Sequence, residues 1–181
     1  LANATTGASM DNNIAIGEAA MGVGIVTGNN NVAIGKSAGT DLTSGTYNTF
    51  LGYQAGQNVV DGAGNIFIGK TAGDAIVSGD NNLIIGDYAG TSAMAGEIHI
   101  YASTTERISV DSSGGVQFNN AFRFPTADGS SGQHLQTAGN GTVTWETPSG
   151  GGSSLTIADE GGDLATAATK LDFVGTGVIA S

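Results

Sequence analysis

One short phrase returns five times along this chain at nearly constant distance: Asn13-Ile-Ala-Ile-Gly17, Asn31-Val-Ala-Ile-Gly35, Asn48-Thr-Phe-Leu-Gly52, Asn65-Ile-Phe-Ile-Gly69 and Asn82-Leu-Ile-Ile-Gly86. The closing glycines lie 18, 17, 17 and 17 residues apart. A fixed period of this length means that one structural turn is repeated and that neighbouring units stack to bury a shared core. Other columns hold the same phase: Gly28, Gly45, Gly62, Gly79 and Gly96; Gly39, Gly56, Gly73 and Gly90, each preceded by alanine at 38, 55, 72 and 89.

Each unit carries two short apolar runs broken by glycine. The first follows the Asn. The second comprises Ile25-Val26, Leu42, Val59-Val60, Ile76-Val77 and Met94. Runs of three or four residues bounded by glycine suit strands, whereas helical repeats need longer units. Glycine at fixed places suits turns with positive φ. The reading is an all-β chain whose first part, residues 1–102, is a β-solenoid of 17-residue coils. Its successive coils pair as parallel strands about 4.8 Å apart, giving a rod of about 24 Å.

The first strand has apolar residues on both faces, as in Thr49-Phe50-Leu51 and Ile66-Phe67-Ile68. Alternation along a strand puts Phe50, Phe67 and Ile84 in one middle column, with Ala15 and Ala33 before them. On a free rod such a column is an exposed apolar stripe of the kind that marks an interface. Self-association along the rod is therefore expected, with closed cyclic symmetry and three copies. The alternative is a wide monomeric solenoid whose interior takes both sets. The expected repeat and interface residues are Asn31, Asn48, Asn65 and Asn82; Phe50, Phe67 and Ile84; and Gly35, Gly52, Gly69 and Gly86. The Asn column reads as a hydrogen-bonded ladder or turn residue, or else as a row of polar groups holding ions or water.

Composition narrows the classes. The net charge is −11 and only five residues are Lys or Arg, well scattered, so no basic patch for nucleic acid exists. Cysteine is absent, which rules out disulfides and thiolate metal sites. No apolar run reaches the roughly 18 residues of a membrane span. The opening Leu1 reads as a piece of a longer or processed chain.

The period fades after Gly96, where Glu97 to Tyr101 still alternates like a strand and reads as a terminal coil. Residues 103–147 read as a small β module: strands near Arg107, Gly115 and Ala121, then a hairpin signalled by Asn140-Gly141. Trp145, the single Trp, reads as the anchor of that unit or as a binding platform. Residues 148–154 read as a Gly/Ser linker. Residues 155–181 read as the start of a further β module with strands at Leu155 and Leu171, too short to bury a core alone.

Gly28-Asn-Asn-Asn31-Val-Ala-Ile-Gly-Lys-Ser-Ala-Gly39 resembles the head repeats of trimeric autotransporter adhesins. The longer period with Gly52-Tyr-Gln-Ala-Gly56 is more similar to repeats of bacteriophage tail fibres and related virion fibre proteins. Phe124 to Gln133 with Trp145, and Leu171 to Val178, resemble further modules of such fibres. The resemblance implies a left-handed parallel roll in an intertwined homotrimer. It also implies a place in the virion or outside the cell, other virion or tail proteins as partners, and a host cell-surface receptor, a glycan among the candidates. The resemblance to adhesins implies the alternative of a head on the bacterial cell surface.

Catalysis is the rival class. Ile34-Gly-Lys-Ser-Ala-Gly, Leu51-Gly-Tyr-Gln-Ala-Gly and Ile68-Gly-Lys-Thr-Ala-Gly fit the hexapeptide of trimeric solenoid acyltransferases, with His99 or His134 as the candidate base. Only one hexad per coil fits, so an enzyme is not expected. Gly22 and Gly24 lack the lysine of a phosphate loop. The calcium nonapeptide is missing, and Asp41, Asp61, Asp74, Asp80 and Asp87 share no column. No cofactor is expected.

Overall fold

A computed structural model describes residues 12–22 and 25–148, and the backbone of two short strands beyond them. The chain is all-β. Its main sheet has nine strands in sequential order, and the first six run parallel. Five come from the recurring phrase: β1 (Ile14–Ile16), β2 (Val32–Ile34), β3 (Thr49–Leu51), β4 (Ile66–Ile68) and β5 (Leu83–Ile85). They stack in strict register, each residue opposite its equivalent one period on, as in Phe50↔Phe67 and Phe67↔Ile84. The result is a β-solenoid of about five turns.

One strand per coil is regular; the second apolar run is not a strand. Its residues still pair irregularly between coils. Thr43 and Ser44 both donate to Val60 O at 2.8 and 3.2 Å, and Val60 donates to Val77 O at 2.8 Å. Two donors converging on one carbonyl break the even ladder of a parallel strand. What the run supplies is hydrophobic fill. Val26, Leu42, Val59, Ile76 and Met94 are buried opposite the strand's inner side.

The interior holds three layers: this run, the small column Ala38, Ala55 and Ala72, and the middle residues of the strands. Small residues in one layer leave space for rings in another. Phe50 and Phe67 stack at 5.4 Å between centroids, and both are completely buried. Each such burial contributes about 1.5–3 kcal/mol. This corrects the expected position of Phe50, Phe67 and Ile84. They face the inside of their own chain with no exposed surface, so they contact no second molecule.

Glycine closes each phrase because the backbone there has φ near +140° and because coils meet at that corner. At Gly52 φ is +142°, and an added Cβ would lie 2.2 Å from the Gly69 carbonyl oxygen of the next coil. Gly35, Gly69 and Gly86 occupy the same corner of their coils, with φ of +137°, +137° and +108°.

Asn31, Asn48, Asn65 and Asn82 form a buried ladder at the start of each strand. Asn65 donates its backbone N–H and its Nδ2 to Asn48 Oδ1 at 3.0 and 3.1 Å, and Nδ2 also donates to Gly79 O at 2.8 Å. The same three bonds recur at Asn48, and at Asn82 with Met94 O as the carbonyl. Every side-chain atom is thereby satisfied, and the beginning of a coil is tied to the turn that ends it.

The sheet continues without a break past residue 102. β6 (Ile98–Ala102) is the last parallel strand, and β7 (Thr105–Val110), β8 (Val116–Phe118) and β9 (Phe122–Arg123) follow antiparallel. A bulge after Ile100 accommodates the change of direction. Next, β10 (His134–Thr137) and β11 (Val143–Glu146) form a hairpin that touches β9 through a bridge from Arg123 to Thr142. Trp145 spans this unit. Its Nε1 donates to Ala127 O at 2.8 Å, and its ring packs on the backbone of Gly129.

Residues 147–181 form a separate unit. Within it β12 (Ala158–Asp159) pairs antiparallel with β13 (Gly162–Asp163). The strands expected at Leu155 and Leu171, and the linker after Pro148, lie outside the described residues.

Candidate interaction surface

The outward residues of the stacked strands form two columns. One runs Ile14, Val32, Thr49, Ile66, Leu83, Ile98; the other runs Ile16, Ile34, Leu51, Ile68, Ile85, Ile100. None of the twelve is buried, and Ile16 is 58% exposed. Only Thr49 is polar. A pair of β-branched or leucine side chains at every coil is what a buried face looks like, yet this face is open in the single chain.

Both columns continue through the antiparallel strands. Ile98 pairs with Val110, which pairs with Val116, and Phe124 N–H donates to Val116 O at 2.8 Å. Ile100 pairs with Ile108, then Phe118, then Phe122. The stripe thus crosses nine strands, about 38 Å at ordinary strand spacing. At a width of roughly 10 Å it covers on the order of 400 Å², as large as the biggest apolar patch on a typical monomer. It ends in an aromatic cluster, with Phe118 and Phe124 edge to face at 5.8 Å.

The opposite face of the same strands changes character along the way. Its middle column reads Ala15, Ala33, Phe50, Phe67, Ile84, then His99, Ser109, Gln117 and Arg123. The interior of the solenoid closes at His99, and beyond it that side is polar. In β7 to β9 the outward stripe is therefore the continuous apolar side of the sheet.

The two flanks of the stripe differ. On one side, immediately after each closing glycine, stand Glu18, Lys36, Tyr53, Lys70 and Asp87. Backbone bonds from Ser37 to Glu18 O, Gln54 to Lys36 O and Thr71 to Tyr53 O place them on successive rungs. Lys36 Nζ pairs with Glu18 Oε2 at 2.9 Å, which raises its pKa. On the other side, just before each Asn, stand Asn12, Asn30, Tyr47, Gly64 and Asn81, all with positive φ. This flank carries no charge. Both tyrosines belong to the third coil, and both are exposed, Tyr47 by 68% and Tyr53 by 46%.

His99 sits at the closed end of the interior. Its Nδ1 is 2.5 Å from Glu106 Oε1 and its Nε2 is 2.9 Å from Glu97 Oε2. Tyr88 lies over the imidazole at 4.5 Å and stacks on Tyr101 at 4.8 Å. Burial, and then the charge of Glu106, pushes the Tyr101 phenol up to about 12. His99 is only 8% exposed and both ring nitrogens are engaged, so it is not presented to a substrate. His134 is exposed on β10 opposite Glu146. Among the described residues no group of three or more His, Asp or Glu side chains could hold a metal ion. Among them, too, no helix is long and apolar enough to cross a membrane.

The structure thus separates the expected site residues from the surface. The Asn, Phe and Ile of the middle and first columns serve the interior, and the glycines serve the corner. The outward Ile, Leu and Val columns and the two flanking tyrosines were not singled out in sequence. A signal for the correct side was present: Asn48 and Phe50 are two apart and share a face. An Asn ladder bonded to the coil's own turn carbonyls places that face inside. The chain matches no protein family, no curated protein and no solved structure with which it was compared.

Proposed function

We propose that this chain is a structural fibre segment of a phage tail or virion appendage. Three copies pack their outer stripes around a common axis and build a rod that projects, or itself forms, a host-attachment element. The observation that carries this is the persistence of the stripe beyond His99. Within the coils an outward aliphatic could be a by-product of strand propensity. In β7 to β9, where the other middle column has become Ser109, Gln117 and Arg123, an apolar stripe has no internal use, and a covering partner accounts for it. A second copy is the simplest cover because the stripe repeats at the coil spacing, so an identical stripe can match it rung for rung.

The partners on this reading are further copies, other virion or tail proteins and a host cell-surface receptor, a glycan among the candidates. Sedimentation velocity of the intact chain tests the assembly. The expected result is a trimer, which Ile66→Lys with Leu83→Lys reduces to monomer; a wild-type monomer overturns it. Immunogold labelling with an antibody to the rod tests the location. Label on phage particles is expected, whereas label on bacterial surfaces favours the adhesin head instead.

A further inference from the structure

We infer that Tyr47 of one copy packs against Tyr53 of the next at the level of the third coil, and that this contact sets all copies parallel and in register. The inference rests on the proposed self-association and adds which residues orient it.

Three observations lead to it. First, the Lys-bearing flank reads Glu18, Lys36, Tyr53, Lys70, Asp87, and this order of charge is the same in both directions. Antiparallel packing would lay this flank against itself reversed. Every charged rung would then meet its own sign: Glu18 against Asp87 and Lys36 against Lys70. Like charges directly opposed are destabilising and exclude wrong partners. Rotation about an axis along the rod instead brings this flank against the other flank of the neighbour, which carries Asn12, Asn30, Tyr47, Gly64 and Asn81 and no charge.

Second, in that parallel arrangement equal rungs face each other, and the rung of Tyr53 is the rung of Tyr47. Both flank β3, the one strand of the parallel stack whose stripe includes a polar residue, Thr49. An aromatic pair on each side supplies apolar contact where the stripe is weakest.

Third, Tyr47 occupies a backbone position with φ of +58°, where the equivalent residues are Asn30, Gly64 and Asn81. A large side chain in the left-handed region is uncommon. The fold gains nothing from this one, because it is 68% exposed within the chain. An external contact accounts for both facts.

Photo-oxidation of the native protein to dityrosine tests this directly. The stacked Tyr88 and Tyr101, 4.8 Å apart in one chain, serve as the internal positive control. The expected result is a covalent ladder up to trimer on a denaturing gel, with Tyr47–Tyr53 linked peptides in the digest. Tyr47→Phe or Tyr53→Phe alone should abolish the ladder and leave the Tyr88–Tyr101 product. A Tyr53–Tyr53 link overturns the parallel arrangement. A trimer by sedimentation that gives only the Tyr88–Tyr101 product overturns the pairing while leaving self-association intact. A monomer by sedimentation overturns both.

Discussion

Ile84 and His99 are register partners on adjacent parallel strands, and between them the interior of the solenoid passes from hydrocarbon to a hydrogen-bonded polar end. A further Phe or Ile at the position of His99 would present an apolar surface inviting another coil. Here Glu106 arrives from the antiparallel strand β7 and, with only 7% of its surface exposed, is held by His99. The pair joins the parallel and antiparallel parts of the sheet, and the energetics of a buried pair make it testable. Removing one partner leaves a buried carboxylate uncompensated, which costs about 3–5 kcal/mol, whereas replacing both by apolar groups is often near neutral. His99→Leu should therefore be strongly destabilising in denaturant unfolding, and His99→Leu with Glu106→Leu should recover most of the loss. A double variant no better than His99→Leu alone would show that the two residues are not coupled.

Tyr101 provides a pH-dependent readout of the same end. Its folded-state phenol is raised to about 12 by burial and by the charge of Glu106, against about 10 in an unfolded chain. The unfolded chain thus ionises first as pH rises. The stability contributed by the neutral phenol is complete below pH about 10 and is lost as pH climbs to about 12. Unfolding midpoints should fall across that window, and Tyr101→Phe should flatten the part of the slope due to this residue. Tyr88, raised in the same direction by burial and then by Glu97 and Glu106, adds to the same slope.

The repeat was legible because stacking needs periodicity in every column at once. At Gly52 and its equivalents an added Cβ would lie 2.2 to 2.8 Å from a carbonyl oxygen of the next coil, and such a constraint admits one residue type and so marks every one of the five phrases. The side of the strand was not legible in the same way. A three-residue strand such as Ile66-Phe67-Ile68 is apolar on both faces, and alternation separates the faces without saying which is inside. The irregular path of Thr43, Ser44 and Val60 was also hidden, because two apolar residues in a row look alike whether or not their backbone forms an even ladder. The pairing of His99 with Glu106 depends on the turn after β6 and on a bulge, and neither leaves a mark at either residue. The outward stripe required the register across nine strands, so it became visible only when Ile100, Ile108, Phe118 and Phe122 stood in one line.

Two glycines with similar backbone conformation distinguish conformational need from lack of space. Gly56 has φ of +59°, and an added Cβ would lie 2.6 Å from the buried ring of Phe50. Gly96 has φ of +69°, is exposed, and has nothing within 4 Å. Alanine at Gly96 should cost only the left-handed conformation, about 1–2 kcal/mol. Alanine at Gly56 adds overpacking of about 1–3 kcal/mol to the same conformational cost. Unfolding midpoints of Gly56→Ala and Gly96→Ala should differ accordingly. Equal losses would mean that Phe50 yields to the added methyl.

The Asn ladder yields the sharpest contrast between near-isosteres. Asn65 accepts two bonds from Asn82 on Oδ1 and donates from Nδ2 to Asn48 Oδ1 and Gly79 O. Asn65→Ala would leave several buried groups unpaired, each costing about 1–3 kcal/mol. Asn65→Asp keeps the acceptor for Asn82 but turns an oxygen toward Gly79 O and Asn48 Oδ1, where a donor is required. Burial and these facing oxygens disfavour the carboxylate, so the folded-state pKa of the new Asp would be raised above its unfolded value. Its protonated form can donate one of the lost bonds. The contribution of this form is complete below the unfolded carboxylate pKa near 4 and is lost as pH rises through the folded one. The stability gap between wild type and Asn65→Asp should therefore widen from acid to neutral pH, whereas the gap for Asn65→Ala stays constant. Denaturant unfolding at pH 4 and pH 7 measures both. Equal gaps at the two pH values would mean that water reaches position 65 and that the ladder is not sealed.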